Sequence, residues 1–94
     1  MSASELPPAG LRLDKWLWQA RFFKTRALAA ELVGKGRVRI NQTIVTKAHH
    51  RIRPGDVLTF PQGHLVRVVR VLELGARRGP AREAQALYED LTEP

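Results

Sequence analysis

The apolar residues of this 94-residue chain change their spacing at one place, between Gly34 and Gly36. Before it they recur every three or four residues, as Leu13, Trp16 and Leu17 do, which is the spacing of one face of an α-helix. After it, polar and apolar residues alternate, which is the spacing of a half-buried strand. The sequence therefore predicts helices first and strands second, the order of a small α+β domain.

Two short helices are predicted in the first part of the chain. One covers residues 13–21, with Asp14 in its first turn and Gln19 on a polar face, and the other covers residues 26–35. Thr25 can cap the second helix, because its hydroxyl can accept a hydrogen bond from a free backbone N–H. The apolar stripe of the second helix is predicted to contain Leu28, Ala29, Leu32 and Val33.

Turn residues divide the rest of the chain into strands. The predicted strands are residues 37–40, 43–46, 57–60 and 64–74. Asn41-Gln42 and Pro54-Gly55 are predicted turns, because Asn and Gly accept positive φ and Pro presets φ. A break is predicted at residues 61–63, and a short final helix at residues 81–91. The expected fold is a pair of helices packed on one side of a small antiparallel sheet, with a C-terminal helix.

Length and composition limit what such a chain can do. It is long enough for one modest core, and 44% hydrophobic residues are sufficient to build it. The absence of cysteine excludes disulfides and thiolate metal sites and suits a reducing compartment, so we expect a cytoplasmic protein. Residues 1–10 are predicted to be a flexible leader without the features of a signal peptide, and no run is apolar enough to span a membrane.

Positive charge is concentrated in one half of the chain. The net charge is +7 at pH 7, from 16 Lys and Arg against 9 Asp and Glu. Residues 12–53 hold eleven of the cations and two acids, whereas residues 83–94 hold four acids and no Lys or Arg. A field of this kind favours a polyanionic partner, either nucleic acid or an anionic membrane surface.

The predicted packing leaves these cations on the surface. Val38 and Ile40 should face the helices, with Arg37 and Arg39 outside. Arg26 follows the predicted cap, so a phosphate could receive both its guanidinium and the free N–H groups of the helix. Together the exposed cations are predicted to form one wall that can follow a phosphate backbone. Trp18 either stacks on an unpaired base or packs in the core.

The segment RLDKWLWQARFFKTRALAAELVGKGRVRINQ, with the later RPGDVLTF, resembles the S4-type RNA-binding domain, and RRGPAREAQALYE is similar to a small bacterial heat-shock family within it. The resemblance implies an S4-like, αL-type domain over residues 11–74, followed by a linker and a short acidic helix at 75–94. Relatives often have Asn-Gly in the hairpin turn and continue into a basic tail. The RNA-binding residues that it implies are Arg12, Lys15, Arg21, Lys24, Thr25, Arg26, Arg37, Arg39, Asn41 and Lys47.

The same resemblance implies a function and a partner. The expected partner is structured ribosomal RNA, on free large ribosomal subunits that still carry a nascent chain on tRNA, with a role in rescue and recycling under heat shock. We expect no cofactor, no metal and no membrane partner, and a monomer is assumed.

Three other classes of function compete with RNA binding. An enzyme is not expected, because the sequence offers no nucleophile elbow and no acid–base pair, and adjacent strand residues such as His49 and His50 point to opposite faces. A DNA-binding helix-turn-helix stays open, although its second helix is poor in residues that read base edges. A protein-interaction module stays open as well, with an acidic last helix from Glu83 to Glu93 as its docking surface.

Overall fold

The computed structural model describes residues 10–93, so Pro94 and nearly all of the predicted leader lie outside the described residues. Within that range the helices are Leu13–Gln19 (α1), Arg26–Gly34 (α2) and Ala81–Gln85 (α3). The strands are Leu11–Arg12 (β1), Val38–Ile40 (β2), Thr43–Val45 (β3), Arg51–Ile52 (β4), Val57–Gln62 (β5), Leu65–Val71 (β6) and Tyr88–Asp90 (β7). These elements confirm the predicted α+β class.

The strands form an antiparallel five-stranded sheet in the order β3-β2-β5-β6-β7, and β1 and β4 form a separate two-residue ribbon. One hydrophobic core joins the helices to the sheet. Its largest fully buried apolar side chains are Trp16, Phe60, Leu13, Leu17, Ile52 and Leu58. The ribbon was not predicted, since two-residue strands leave no periodic signal.

The buried faces of α1 and α2 differ from the predicted ones at Gln19 and Leu28, and Asp14 of α1 is buried as well. Gln19 is buried instead of exposed, because Leu74 lies against α1 and its carbonyl accepts a hydrogen bond from Gln19 Nε2 at 3.0 Å. Leu28 is 48% exposed, so its place in the core stripe was wrong. Successive helix residues are about 100° apart around the axis, and α2 turns Ala29 and Val33 inward.

The predicted Asn41-Gln42 turn joins β2 to β3. Asn41 has φ 50° and Gln42 has φ 74°, the left-handed pair of a type I′ turn. The Asn41 side chain fixes this turn: its Oδ1 accepts a hydrogen bond from the Val57 N–H at 2.9 Å, and its Nδ2 donates to Asp56 at 3.0 Å. The hairpin tip is thereby attached to the beginning of β5.

The Pro54-Gly55 turn is confirmed, with Gly55 at φ 98°, but the predicted break at residues 61–63 comes too early. Strand β5 continues through Pro61 to Gln62. The strand tolerates Pro61 because β2 pairs with β5 only at Leu58 and Thr59, so β5 has one unpaired edge further along.

The final helix is the largest correction to the prediction. Helix α3 ends at Gln85, and Tyr88–Asp90 form strand β7 instead of the last turns of a helix to residue 91. Strand β6 offers an open edge, and β7 pairs with it in antiparallel register, with Leu87 buried beside it. Sheet pairing and burial outweigh the local helical preference here. An acidic helix from Glu83 to Glu93 therefore does not form.

Candidate nucleic-acid interface

The N-terminus of α2 is capped as predicted. Thr25 is extended, and its Oγ1 accepts a hydrogen bond from the Leu28 N–H at 3.1 Å. Arg26 follows in the first turn, with its side chain 41% exposed. The helix thus begins with an arginine in the turn whose first backbone N–H groups have no partner within the helix, which is a combination suited to an anion.

A buried carboxylate lies between two of the predicted arginines. Asp14 accepts hydrogen bonds from Arg12 Nε and Nη2, both at 3.1 Å. Arg26 Nη2 lies 3.5 Å from Asp14 Oδ1, and the Lys15 N–H donates to the same oxygen at 2.8 Å. Residues from β1, α1 and α2 meet at this point. We call this group the Asp14 cluster: Arg12, Asp14, Lys15 and Arg26.

The loop that carries Lys47 is attached to the Asp14 cluster through the backbone. The Ala48 carbonyl accepts a hydrogen bond from the Asp14 N–H at 3.2 Å, and the His50 carbonyl accepts one from the Leu13 N–H at 2.8 Å. Lys47 precedes Ala48 and is exposed. Its position beside the cluster depends on contacts between distant parts of the chain, which sequence patterns do not reveal.

Arg39 of strand β2 and Arg37, just before the strand, lie on the side of the sheet that is turned away from the core. Arg37 and Arg39 are exposed, whereas Val38 and Ile40 are buried, as predicted from their alternation. Both arginines border an open cleft of about 280 Å³. The other residues lining this cleft are Thr59, Phe60, Pro61 and Val66.

Arg21 is turned toward the C-terminal part of the chain. It has φ 65°, and its Nε donates a hydrogen bond to the Gly79 carbonyl at 2.6 Å. Arg78, which precedes Gly79, makes two contacts with Trp18. Its guanidinium carbon lies 5.6 Å from the centroid of the Trp18 ring, and its Nε donates a hydrogen bond to the Trp18 carbonyl at 3.0 Å. Trp18 is therefore half-buried under a cation, a pairing that the sequence did not suggest.

The predicted site residues thus fall into groups. Arg12, Lys15 and Arg26 meet at Asp14, with Lys47 next to them, whereas Arg37 and Arg39 lie on the outer face of the sheet. Arg21 contacts the segment around Gly79, Lys24 is exposed before the Thr25 cap, and Asn41 has its amide engaged within the hairpin. A single wall that joins these groups stays a prediction. The predicted cations without an ion pair to an acid among residues 10–93 are Lys15, Arg21, Lys24, Arg37, Arg39 and Lys47.

The arginines near the C-terminus have a different environment. Three of them pair with acids: Arg67 with Asp90 at 3.2 Å, Arg70 with Glu89 at 2.7 Å and Arg77 with Glu83 at 2.8 Å. The hydrogen bond from Arg77 lowers the pKa of Glu83, and hydrogen bonds from Thr92 lower the pKa of Asp90. Both carboxylates are therefore favoured in the charged form that their arginine partners require.

Neither a metal cluster nor a membrane-spanning helix occurs in the described part of the chain. Between residues 10 and 93, the His, Asp and Glu side chains do not gather in threes that could hold a metal ion. None of the helices α1, α2 and α3 combines the length and the apolar composition of a membrane span.

Comparison with known proteins gives consistent results. The S4 domain family model matches residues 11–58. Heat shock protein 15 of Escherichia coli K12 is 44% identical over 95% of this chain, and the RQC P-site tRNA stabilizing factor of Bacillus subtilis is 42% identical over 68% of this chain and 73% of its own length. A trimeric structure of Vibrio cholerae heat shock protein 15 superposes with a TM-score of 0.81, at 40% identity over 85% of this chain and 80% of that one.

The match to the Escherichia coli protein spans 66% of that protein's length. The family assignment does not depend on the remainder, because the family model covers half of the chain and the Vibrio cholerae structure agrees with the fold described above. This chain belongs to the S4 domain family.

Proposed function

We propose that this protein binds structured RNA of the ribosome and catalyses no reaction. The observation that carries the proposal is the uneven distribution of cations and acids along the chain. We call residues 12–53 the basic region. It contains eleven Lys and Arg but only two acids. A cation without an acidic neighbour can neutralise an RNA phosphate and release the counterion condensed there, so binding weakens steeply with salt.

The comparisons support a ribosomal partner over other polyanions. One similar protein is named as a factor that stabilises tRNA in the P site, and another is named as a protein of the small ribosomal subunit. The finer proposal is that this chain binds free large subunits that still carry a nascent chain on tRNA, and that it acts in rescue and recycling during heat shock. The name heat shock protein 15 among its relatives agrees with that condition.

A DNA-binding helix-turn-helix is the weaker candidate. The exposed residues of α2 would have to read base edges in the major groove. Within α2 they are Ala27, Leu28, Glu31 and Gly34, together with Arg26, whose side chain is 41% exposed. Arg26 is the one member of this set that can make bidentate contacts with bases, and its Nη2 lies 3.5 Å from Asp14 Oδ1. The rest of the exposed face of α2 is suited to phosphate contact or to packing.

The proposal includes a cytoplasmic protein that acts as a monomer. The relative from Vibrio cholerae is described as trimeric in its structure, so oligomeric state is a separate measurement. Sedimentation equilibrium across a range of concentrations, with and without an RNA hairpin, would give it. A single mass equal to one chain is the expected result, and a stable trimer would overturn this part alone.

Co-sedimentation with ribosomal subunits tests the function. We expect the protein to pellet with large subunits, more strongly when they carry peptidyl-tRNA, and to be released by added salt. Small subunits serve as the matched control. In a parallel experiment, duplex DNA competes with a labelled ribosomal RNA hairpin; equal competition would favour the DNA-binding alternative, and no RNA binding at low salt would reject the proposal.

A further inference from the structure

Asp14 is an unexpected residue to find buried between two arginines of the basic region. Among residues 10–93 the buried polar or charged residues are Asp14, 4% exposed, and Gln19. A buried carboxylate is costly unless it is paired and hydrogen-bonded. Asp14 meets this condition through the Lys15 N–H and through two guanidiniums that the proposed function assigns to RNA.

The two arginines keep part of their surface when they bind Asp14. The side chain of Arg12 is 44% exposed and that of Arg26 is 41% exposed, against 6% for Asp14. A guanidinium has five N–H donors; Arg12 gives Nε and one Nη2 hydrogen to the carboxylate, so its other donors stay available. Both arginines contact the same oxygen, Oδ1, so β1 and α2 present their charges side by side.

We infer that Asp14 is a positioning residue for RNA binding. It holds the guanidiniums of Arg12 and Arg26 as a fixed pair that binds neighbouring phosphate groups of the RNA backbone. This inference rests on the proposed function and adds a mechanism to it. A long side chain that is already ordered loses less conformational freedom when it binds, so the fixed pair binds more tightly than two mobile arginines would.

The inference and a purely electrostatic model predict opposite changes in RNA affinity when the charge of Asp14 is removed. If only the field mattered, removing a negative charge from the basic region would strengthen RNA binding. If positioning matters, the Asp14→Asn variant binds RNA about tenfold more weakly although its net charge is more positive. Its salt dependence also becomes shallower, by about 0.7 to 0.9 in slope for each phosphate that the variant no longer neutralises.

Glu31→Gln is the matched control. Glu31 is the other acid of the basic region and is exposed on α2, and among residues 10–93 its one ion pair is with Lys35, four residues away. Its removal changes the charge by the same amount without touching the Asp14 cluster. Affinities for a ribosomal RNA hairpin would be measured with the full chain over a series of salt concentrations. Equal or tighter binding by the Glu31→Gln variant is expected.

A double-variant experiment separates positioning from a general loss of structure. In an Arg12→Ala, Arg26→Ala background, Asp14→Asn should cause no further loss of RNA affinity, because the groups that it positions are gone. A further loss in that background would show a merely structural role and would overturn the inference. Circular dichroism spectra and melting curves would confirm that each variant is folded at the temperature of the binding measurement.

Arg12→Lys provides a test that keeps both Asp14 and the net charge. Lysine cannot form the two-pronged contact that Arg12 makes with Asp14, so RNA binding should weaken several-fold even if the Asp14→Asn variant fails to fold. Unchanged affinity for this variant, or Asp14→Asn binding as tightly as Glu31→Gln, would overturn the inference while wild-type binding stands. Failure of the wild type to bind RNA would instead overturn the proposed function.

Discussion

The basic region and the C-terminal part of the chain are both rich in arginine but surround it differently. The C-terminal part, residues 67–93, holds five arginines and five acids, and we call it the paired region. Three of its arginines lie within 3.2 Å of a carboxylate. In the basic region only Arg12, Arg26 and Lys35 form ion pairs among the described residues. The net positive charge of the protein thus comes from the basic region of the chain.

The difference shows what each surface is suited to do. Exposed ion pairs contribute little to stability, typically about 0 to 1 kcal/mol each, but they cancel the local field and leave nothing for a polyanion to neutralise. Cations without an acidic partner can neutralise RNA phosphates and release the counterions condensed on them. The two regions are not distinguished by their arginine content. They are distinguished by the number of acids that lie near the arginines.

Trp16→Ala should have the largest effect, and it tests whether the two regions are surfaces of one cooperative unit. Trp16 is fully buried, and its Nε1 donates a hydrogen bond to the Glu73 carbonyl of the paired region at 2.9 Å. Its loss should lower the free energy of unfolding by about 3 to 5 kcal/mol while one unfolding transition remains. Urea unfolding followed by circular dichroism measures both, and Ile44→Ala, at an exposed site, should change little. Two separate transitions in the wild type would contradict the expectation.

Comparing the RNA affinities of the Arg39→Ala and Arg70→Ala variants tests directly whether the two regions differ in RNA binding. Both arginines are exposed on the same outer face of the sheet, and both substitutions remove one positive charge. Arg39 has no acidic partner among the described residues, whereas Arg70 pairs with Glu89. Arg39→Ala should weaken RNA binding about fivefold and reduce the salt slope by about 0.7 to 0.9.

Arg70→Ala is expected to change RNA binding much less. Fluorescence anisotropy with a ribosomal RNA hairpin would measure both variants under identical salt. Equal losses would mean that pairing with an acid does not decide which arginines bind RNA, and the comparison would fail.

Gln42→Gly sharpens the comparison by changing the stability of the basic region without changing its charge. Gln42 has φ 74°, a conformation that glycine adopts without steric strain, and Asn-Gly is the preferred pair for this turn. The substitution should raise the free energy of unfolding by about 0.5 to 1 kcal/mol and leave RNA affinity unchanged. Thr43→Gly, in strand β3, is the control and should destabilise the protein; a loss of stability in Gln42→Gly would contradict the turn assignment.

The smallest expected effect is on the pH dependence of the paired region. The pKa of Glu83 is lowered, chiefly by its hydrogen bond from Arg77. A lowered pKa in the folded state contributes stability that is present above the ordinary value of 4.5 and is lost as pH falls through the folded value. Melting temperatures between pH 7 and acid pH should therefore fall more for the wild type than for Glu83→Gln. Parallel curves for the two proteins would contradict this.

Local chemistry made several elements predictable from the sequence. The Thr25 cap, the Asn41-Gln42 turn and the Pro54-Gly55 turn each depend on the preferences of one or two residues, and all three were confirmed. The alternation around Val38 and Ile40 predicted their burial correctly because strand geometry alternates side chains between two faces.

Predictions failed where a distant segment decides the outcome. Residues 88–90 form a strand because β6 offers an unpaired edge, and Gln19 is buried because Leu74 lies against α1. The grouping of Arg12 with Arg26 around Asp14 likewise depends on the packing of α1 against α2. No window of neighbouring residues contains that information.

The sequence by itself determined the class of fold, its capped helix and tight turns, and the excess of positive charge in the first half, since each depends on composition or on contacts between near neighbours. Only the tertiary structure decided which arginines meet a carboxylate and which do not. Ion pairs form between side chains that folding brings within a few ångströms, and the partners here lie as far apart in the chain as Arg67 and Asp90. The sequence determines the amount of charge, but the arrangement of that charge on the surface depends on the packing of distant segments.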